Sequence, residues 1–306
     1  MRQNQPPATS REPSLSSPAG AVTADAAAAP AAPERTVRAA LCFIVHQATK
    51  PYFKSSALTG GLPEVHFRTE QRNVPIHDLR QRAGALSLER EGFELHRHTT
   101  EVADLYDDDA IRAVYEPELQ ALLQRLTGAR RVLIFDHTRR SDAQAGAANP
   151  DGLRGPATRV HVDYTVDSGP KRAADVLGEP TVRDTLARGG RIVQVNVWRP
   201  IKGPVRRAPL ALAAADTVPR SSLVATDQIF PDRVGEIYQV AYDPAQRWYW
   251  APDMTPDEVL LIKGWDSDGT RRAIFTPHGA FDLPGQRPED PPRESIESRT
   301  FLLFDN

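Results

Sequence analysis

The stretch RVHVDYT, residues 159–165, decides how the rest of the chain is interpreted. Hydrophobic and polar residues alternate along it, which predicts a strand. Residues two apart on a strand share a face, so His161 and Asp163 should project side by side. An imidazole and a carboxylate in this arrangement supply two of the three ligands of a 2-His-1-carboxylate metal site. For so short a pattern, a structural histidine beside a strand-end carboxylate is the alternative.

A third ligand must come from elsewhere in the chain, and His278 is the natural candidate. The segment AIFTPH, residues 273–278, predicts a late strand that ends at this histidine. In a double-stranded β-helix early and late strands become neighbours, so the long separation from Asp163 is no obstacle. The pair His96 and His98 also shares a strand face, but no carboxylate lies between them and a surface strand is the preferred interpretation.

Two histidines and a carboxylate hold Fe(II) on one face and leave open positions for a chelating 2-oxo acid and O₂. The distal carboxylate of 2-oxoglutarate then needs a cation, and the arginine fork grips a carboxylate bidentately. Arg293 follows His278 by fifteen residues, and Ser295 adds a hydroxyl on the same strand face. Arg299 lies farther along that face and is the rival, with Arg293 preferred.

The pattern of segments indicates a mainly β fold with flanking helices (α+β), built as a double-stranded β-helix or jelly roll. At least six strands separated by Pro- and Gly-containing turns follow residue 158. In residues 191–198 (RIVQVNVW) the valines should face the core. Asn196 and Trp198 should either line a cosubstrate or substrate pocket or pack in the core with an internal hydrogen bond. Residues 236–242 and 247–250 are expected to form a hairpin.

Composition narrows the class of protein. The 306 residues carry a net charge of −2, which provides no electrostatic footprint for nucleic acid or an acidic membrane surface. Cys42 is the single cysteine, so zinc ribbons and iron–sulfur clusters are excluded and a reducing cytoplasm is expected. No apolar run approaches the roughly 20 residues needed to span a bilayer. We expect a soluble cytoplasmic protein with a small-molecule substrate; its oligomeric state stays open.

The chain is expected to divide into a tail and one folded domain. Residues 1–35 are rich in Ala and Pro and lack large apolar side chains, so they should be disordered. Residues 36–306 should form a single domain, with the double-stranded β-helix core mostly in residues 158–306.

Five linked motifs carry a resemblance to a known family. The chain resembles the hydroxylase/desaturase family that is related to the cephamycin 7α-methoxylation component and the fungal gibberellin desaturase. The resemblance covers roughly residues 36–305. Its motifs are VHVDYT at 160–165, NVWRPI at 196–201 with GPV at 203–205, KGWDS at 263–267, PHGAF at 277–281 and RESIE at 293–297.

The resemblance implies an oxygenase that uses Fe(II), 2-oxoglutarate and O₂ to hydroxylate or desaturate a small natural product. It assigns the metal ligands to His161, Asp163 and His278, and the cosubstrate contacts to Arg293 and Ser295. Two alternatives stay open. The barrel could serve another metalloenzyme, such as a zinc hydrolase or a cosubstrate-independent dioxygenase, or a non-catalytic binding or partner subunit.

Overall fold

Alternating hydrophobic residues make strands the commonest regular element of the described residues. The computed structural model describes residues 35–306 apart from residues 83, 150 and 151, so the predicted tail, except for its last residue, lies outside the described residues. Over the described part the strands are β1 (Thr36–Ile44), β2 (Tyr52–Lys54), β3 (Glu64–Val65), β4 (Thr69–Asp78), β5 (Phe93–Arg97), β6 (Arg131–Ser141), β7 (Ala147–Asn149), β8 (Gly152–Arg154), β9 (His161–Val162), β10 (Arg191–Pro200), β11 (Leu210–Ala213), β12 (Leu223–Ile229), β13 (Val234–Val240), β14 (Trp248–Trp250), β15 (Glu258–Asp266), β16 (His278–Ala280) and β17 (Glu294–Phe304).

Helices are fewer and flank the sheets. They are α1 (Ser56–Thr59), α2 (Asp108–Ala110), α3 (Glu116–Thr127), α4 (Ser168–Leu177) and α5 (Glu179–Ala187), with a π-helical turn at Ile111–Tyr115 and 3₁₀ turns at Leu79–Arg82, Ala215–Thr217 and Arg220–Ser222. The Asp107 side chain accepts from the first free backbone N–H groups and begins α2. Gly128, at φ 74°, ends α3 in the left-handed conformation that glycine adopts readily.

Two sheets face each other. The large sheet has the order β1-β4-β14-β11-β16-β9-β13-β12-β2-β3, and the small sheet has the order β5-β15-β10-β17-β6. The large sheet curls, because Cys42 and Ile44 of β1 form bridges with Arg159 and Ala241 near its middle. Strands distant in sequence therefore become neighbours, as in the predicted jelly roll, and both sheets include strands from before residue 158.

Alternation along β10 and β17 separates the two faces of the small sheet. The valines of β10 pack with Leu302 of β17 and with Leu119 and Leu122 of α3, as the pattern of residues 191–198 predicted. The opposite face carries Asn196 and Trp198 toward the large sheet. This small sheet therefore has one apolar face against the helix and one functional face inside the barrel.

The expected hairpin between residues 236–242 and 247–250 is wrong. Strand β13 pairs with β12 and β9, whereas β14 pairs with β11 and β4. The short turn joins strands that lie in different parts of the sheet, because the buried Trp248 and Trp250 pack into the core formed by β1, β4 and β11. That packing outweighs the local preference for a hairpin.

Candidate metal and cosubstrate site

The two histidines lie on neighbouring strands and face the same space. His161 on β9 and His278 on β16 are direct cross-strand partners, and their ring centroids are 4.6 Å apart. Asp163 follows β9 by one residue and projects from the same face as His161. One nitrogen of each imidazole and a carboxylate oxygen lie within 4.8 Å of one another. These three side chains present the donor set and the spacing of a 2-His-1-carboxylate site.

Backbone carbonyls fix both imidazole tautomers. Nδ1 of His161 lies 2.8 Å from the carbonyl oxygen of Arg159, and Nδ1 of His278 lies 3.0 Å from that of Thr276. A carbonyl can only accept, so each Nδ1 carries the proton and donates it. Each Nε2 therefore keeps its lone pair for a metal, and the hydrogen bond at Nδ1 holds the ring in place. Burial lowers the pKa of His278, and the neighbouring His161 lowers it further, which favours the neutral ligand form.

Asp163 is held as a carboxylate by two side chains of the small sheet. Asn196 Nδ2 donates to its Oδ2 at 2.7 Å, and Arg299 Nε lies 3.4 Å from the same oxygen. Its Oδ1 lies 3.5 Å from His161 Nε2. Burial alone would raise the pKa of Asp163, but Arg299 and the two imidazoles lower it well below its ordinary value. The carboxylate is thus charged and oriented before any metal binds.

The side chain of Asn196 orients the Asp163 carboxylate through a hydrogen bond. Its own Oδ1 accepts from Gln194 Nε2 at 2.6 Å, so Gln194, Asn196 and Asp163 form a chain of hydrogen bonds. Both the oxygen and the nitrogen of the Asn196 amide thus bind protein side chains. The expected contact between Asn196 and a cosubstrate stays a prediction. Sequence reasoning missed Gln194, although its place two residues before Asn196 on the same strand face was the signal.

Arg299 is the centre of a carboxylate network. It donates to Asp136, to Thr138 Oγ1 at 2.8 Å and to Glu297 Oε1 at 2.6 Å, besides its approach to Asp163. Burial would lower the pKa of Arg299, but these carboxylates raise it well above its ordinary value. The guanidinium is therefore committed to protein carboxylates. Asp136 belongs to the polar run at residues 136–140, and that run was the sequence signal for this network.

The guanidinium of Arg293, unlike that of Arg299, forms no ion pair with a carboxylate among the described residues. Its guanidinium is buried and donates Nη1 to the carbonyl oxygen of Ala208 at 2.6 Å, while Trp198 lies beside it at 5.8 Å. Among the described residues, no carboxylate lies within ion-pair distance of it, and its Nε has no hydrogen-bond partner. Burial, and then the nearby Arg140, lowers the pKa of Arg293 to about 10. Such a cation has unused donors and a strong need for an anion.

Ser295 lies between the two arginine environments. It is buried on the same face of β17 as Arg293 and Arg299, opposite Arg140 of β6 and Pro200 of β10. The second histidine pair lies elsewhere: His96 contacts Glu94 at 2.7 Å, and His98 contacts Arg199. The preference for a surface strand over a metal site at this pair therefore agrees with the contacts.

Comparisons with known proteins agree with this geometry. Residues 41–303 match the family described as an oxidoreductase/YMDC permease-like domain. The chain is 32% identical over 290 residues to the hydroxylase/desaturase efuI of Hormonema carpetanum, which covers 84% of this chain and 95% of that one. It is 32% identical over 246 residues to the alpha-ketoglutarate-dependent dioxygenase tstK of Talaromyces stipitatus, covering 76% and 84% of the two chains.

A solved structure has the same fold. A variant of the iron and alpha-ketoglutarate-dependent endoperoxidase NvfI superposes with a TM-score of 0.78 at 25% identity, over 89% of this chain and 98% of that one. The prediction of a jelly roll is thereby confirmed. No helix in the described part of the chain is both long and apolar enough to cross a membrane. From the family match and these relatives, the chain belongs to the hydroxylase/desaturase family of Fe(II)/2-oxoglutarate-dependent dioxygenases.

Proposed function

We propose that His161, Asp163 and His278 hold one Fe(II), and that Arg293 with Ser295 binds the distal carboxylate of 2-oxoglutarate. The enzyme uses this site to hydroxylate or desaturate a small natural-product-like molecule. The observation that carries the proposal is the convergence of three ligand atoms within 4.8 Å, with both Nδ1 protons tied to backbone carbonyls.

The residues fit the metal in chemical type as well as in spacing. Two neutral imidazoles and one carboxylate suit Fe(II) and leave positions open on the other side. When bound, the iron supplies the chemistry that couples decarboxylation of 2-oxoglutarate by O₂ to oxidation of a substrate C–H bond. The protein keeps Asp163 charged through Arg299 and oriented through Asn196.

The surroundings of the Arg293 guanidinium support the cosubstrate assignment. A 2-oxo acid that chelates the iron extends its second carboxylate away from the metal and needs a cation there. The Arg293 guanidinium has an unsatisfied Nε and, among the described residues, no carboxylate within ion-pair distance; Asp142 accepts from the Arg293 backbone N–H and pairs with Arg207 instead. Arg299, by contrast, donates to Asp136 and Glu297. A zinc hydrolase has no use for such an arginine, so this feature favours the oxygenase over the other metalloenzyme.

The relatives agree with a small organic substrate. The names of efuI and of the gibberellin cluster GA4 desaturase of Gibberella fujikuroi, which is 27% identical over 301 residues, describe hydroxylation or desaturation. We propose the same two reactions, hydroxylation or desaturation, for this chain.

The single cysteine, Cys42, is free, which agrees with a cytoplasmic location.

Anaerobic titration of the apo-protein with Fe(II) and then 2-oxoglutarate tests the proposal through the visible metal-to-ligand charge-transfer band. We expect the band in the wild type and its loss in His278→Ala. His96→Ala removes a half-buried histidine that lies outside the proposed site, and it should keep the band. Metal binding without a band in the wild type would favour the zinc or cosubstrate-independent enzyme, and absence of metal binding would favour the binding subunit.

A further inference from the structure

We infer that Arg140 forms a second anion site beside the metal, and that it binds a carboxylate of the organic substrate. This inference rests on the proposed function and adds the chemical class of the substrate. The starting observation is that two arginines on the functional face of the small sheet, Arg293 and Arg140, lack a carboxylate within ion-pair distance among the described residues.

Arg140 projects into the barrel from the edge strand β6. Its cross-strand partner is Ser295, and the next two pairs on the same face are Thr138 with Glu297 and Asp136 with Arg299. Since directly paired residues on antiparallel strands share a face, Arg140 belongs to the row of side chains that leads to Asp163. It lies one step from Arg293 along this row.

The single hydrogen bond described for the Arg140 side chain goes to a neutral group. Nη1 donates to the carbonyl oxygen of Gly155 at 3.0 Å. Gly155 lies in the segment that enters the metal strand β9, so Arg140 bridges the sheet edge and the approach to His161. Arg140 keeps part of its surface accessible, unlike the fully buried Arg293.

The charges around Arg140 leave it in need of an anion. Glu297, the nearest carboxylate on its row, already accepts from Arg299, as do Asp136 and Asp163. Burial, with Arg299 and Arg154, lowers the pKa of Arg140 to about 10, although Glu297 and Asp163 partly offset this. Arg140 in turn lowers the pKa of Arg293. A guanidinium removed from water and surrounded by like charges is stabilised most by a carboxylate.

The cosubstrate cannot neutralise every cation in the barrel. Of its two carboxylates, one is used at the iron and one at Arg293. Arg140 then remains without a carboxylate of its own within ion-pair distance among the described residues, on the row of side chains that leads to Asp163. The substrate class that completes the charge balance is a carboxylic acid, held through the fork of Arg140 while its C–H bond faces the metal.

The test separates the two arginines by the ligand each one binds. Wild type, Arg140→Gln, Arg140→Lys and Arg293→Gln are loaded anaerobically with Fe(II), and the charge-transfer band gives the 2-oxoglutarate Kd. Arg131→Gln, on the exposed end of the same strand, is the matched control. We expect Arg293→Gln to weaken 2-oxoglutarate binding by about tenfold or more, and Arg140→Gln to change it by less than about twofold.

Each protein is then saturated with Fe(II) and 2-oxoglutarate and titrated calorimetrically with benzoate and with benzamide, its neutral analogue. The wild type and Arg131→Gln should bind benzoate at least about tenfold more tightly than benzamide. This preference should vanish in Arg140→Gln and be partly retained in Arg140→Lys, which keeps the charge.

Three results would overturn the inference: a loss of 2-oxoglutarate binding in Arg140→Gln equal to that in Arg293→Gln, no preference for benzoate in the wild type, or a preference that survives Arg140→Gln. Unchanged 2-oxoglutarate binding in Arg293→Gln would instead overturn the cosubstrate assignment and leave the role of Arg140 intact. Absence of the band in the wild type would remove the proposed function and this inference with it.

Discussion

Asn196 and Asp163 join the two sheets at the metal site. The amide Nδ2 of Asn196 on the small sheet donates to Oδ2 of Asp163 on the large sheet at 2.7 Å. The other carboxylate oxygen faces His161 Nε2. One hydrogen bond thus decides which oxygen of Asp163 is presented to the metal.

Replacement of Asn196 by Ala should weaken Fe(II) binding by about 10- to 100-fold, because the ligating carboxylate loses the partner that orients it. Anaerobic calorimetry with Fe(II) measures the change. Asn73→Ala, on an exposed part of β4, is the control and should keep wild-type affinity. Equal affinities in the two variants would show that Asn196 does not orient the ligand.

Replacement of Arg299 by Gln should destabilise the fold by about 3 kcal/mol, since the buried Asp163 and Glu297 and the half-exposed Asp136 lose their shared cation. Urea unfolding monitored by tryptophan fluorescence gives the free energy. Arg112→Gln removes an exposed ion pair with Asp109 and should change stability by less than about 0.5 kcal/mol. If Arg299→Gln lowered the free energy of unfolding no more than Arg112→Gln does, the carboxylate network would contribute little to stability.

The Arg80–Glu258 pair predicts acid sensitivity of the fold. Burial would raise the pKa of Glu258, but hydrogen bonds from Arg80 and from the Thr255 backbone lower it below its ordinary value in the folded state. The unfolded chain therefore takes up the proton first. The stability from this group is present above the ordinary pKa and is lost as the pH falls through the folded value.

Glu258→Gln should accordingly lower stability at neutral pH and flatten the loss of stability below about pH 5. Thermal unfolding between pH 3 and pH 7, about the range where carboxylates titrate, measures both effects. Glu289→Gln, at an exposed carboxylate, serves as the comparison. If the stability of Glu258→Gln fell as steeply with decreasing pH as that of the wild type, Glu258 would not be a source of the acid sensitivity.

Gly92 connects fold stability to the metal site. It has φ 88°, a side-chain Cβ would lie 2.1 Å from Thr276 Oγ1, and that hydroxyl donates to the Gly92 carbonyl. The carbonyl of Thr276 in turn holds His278 Nδ1. Gly92→Ala should therefore cost more than about 2 kcal/mol and also weaken Fe(II) binding, because Thr276 must move.

Gly128→Ala separates backbone strain from this contact. Gly128 has φ 74° and open space around it, so the substitution should cost about 1 kcal/mol and leave Fe(II) affinity unchanged. Urea unfolding and metal calorimetry on both variants make the comparison. Unaltered metal binding in Gly92→Ala would break the proposed link to His278.

Much of the fold and part of the site could be predicted from the sequence, because those features depend on local periodicity. The period of two on the metal strand puts His161 and Asp163 on one face, and the same period separates the valines of β10 from Asn196. Capping chemistry likewise explains why α2 begins after Asp107 and why α3 ends at Gly128. These properties need no knowledge of distant neighbours.

Tertiary structure decided which strands pair and which charges meet. The turn at residues 243–246 favoured a hairpin, yet β13 and β14 lie apart because tryptophan burial outweighed it. Arg293, directly before β17, and Arg299, within it, look equivalent in the sequence. Their surroundings differ because β6 brings Asp136 to Arg299 and Arg140 to the neighbourhood of Arg293. Electrostatic roles depend on the distances between side chains from remote segments, and only the folded chain sets those distances.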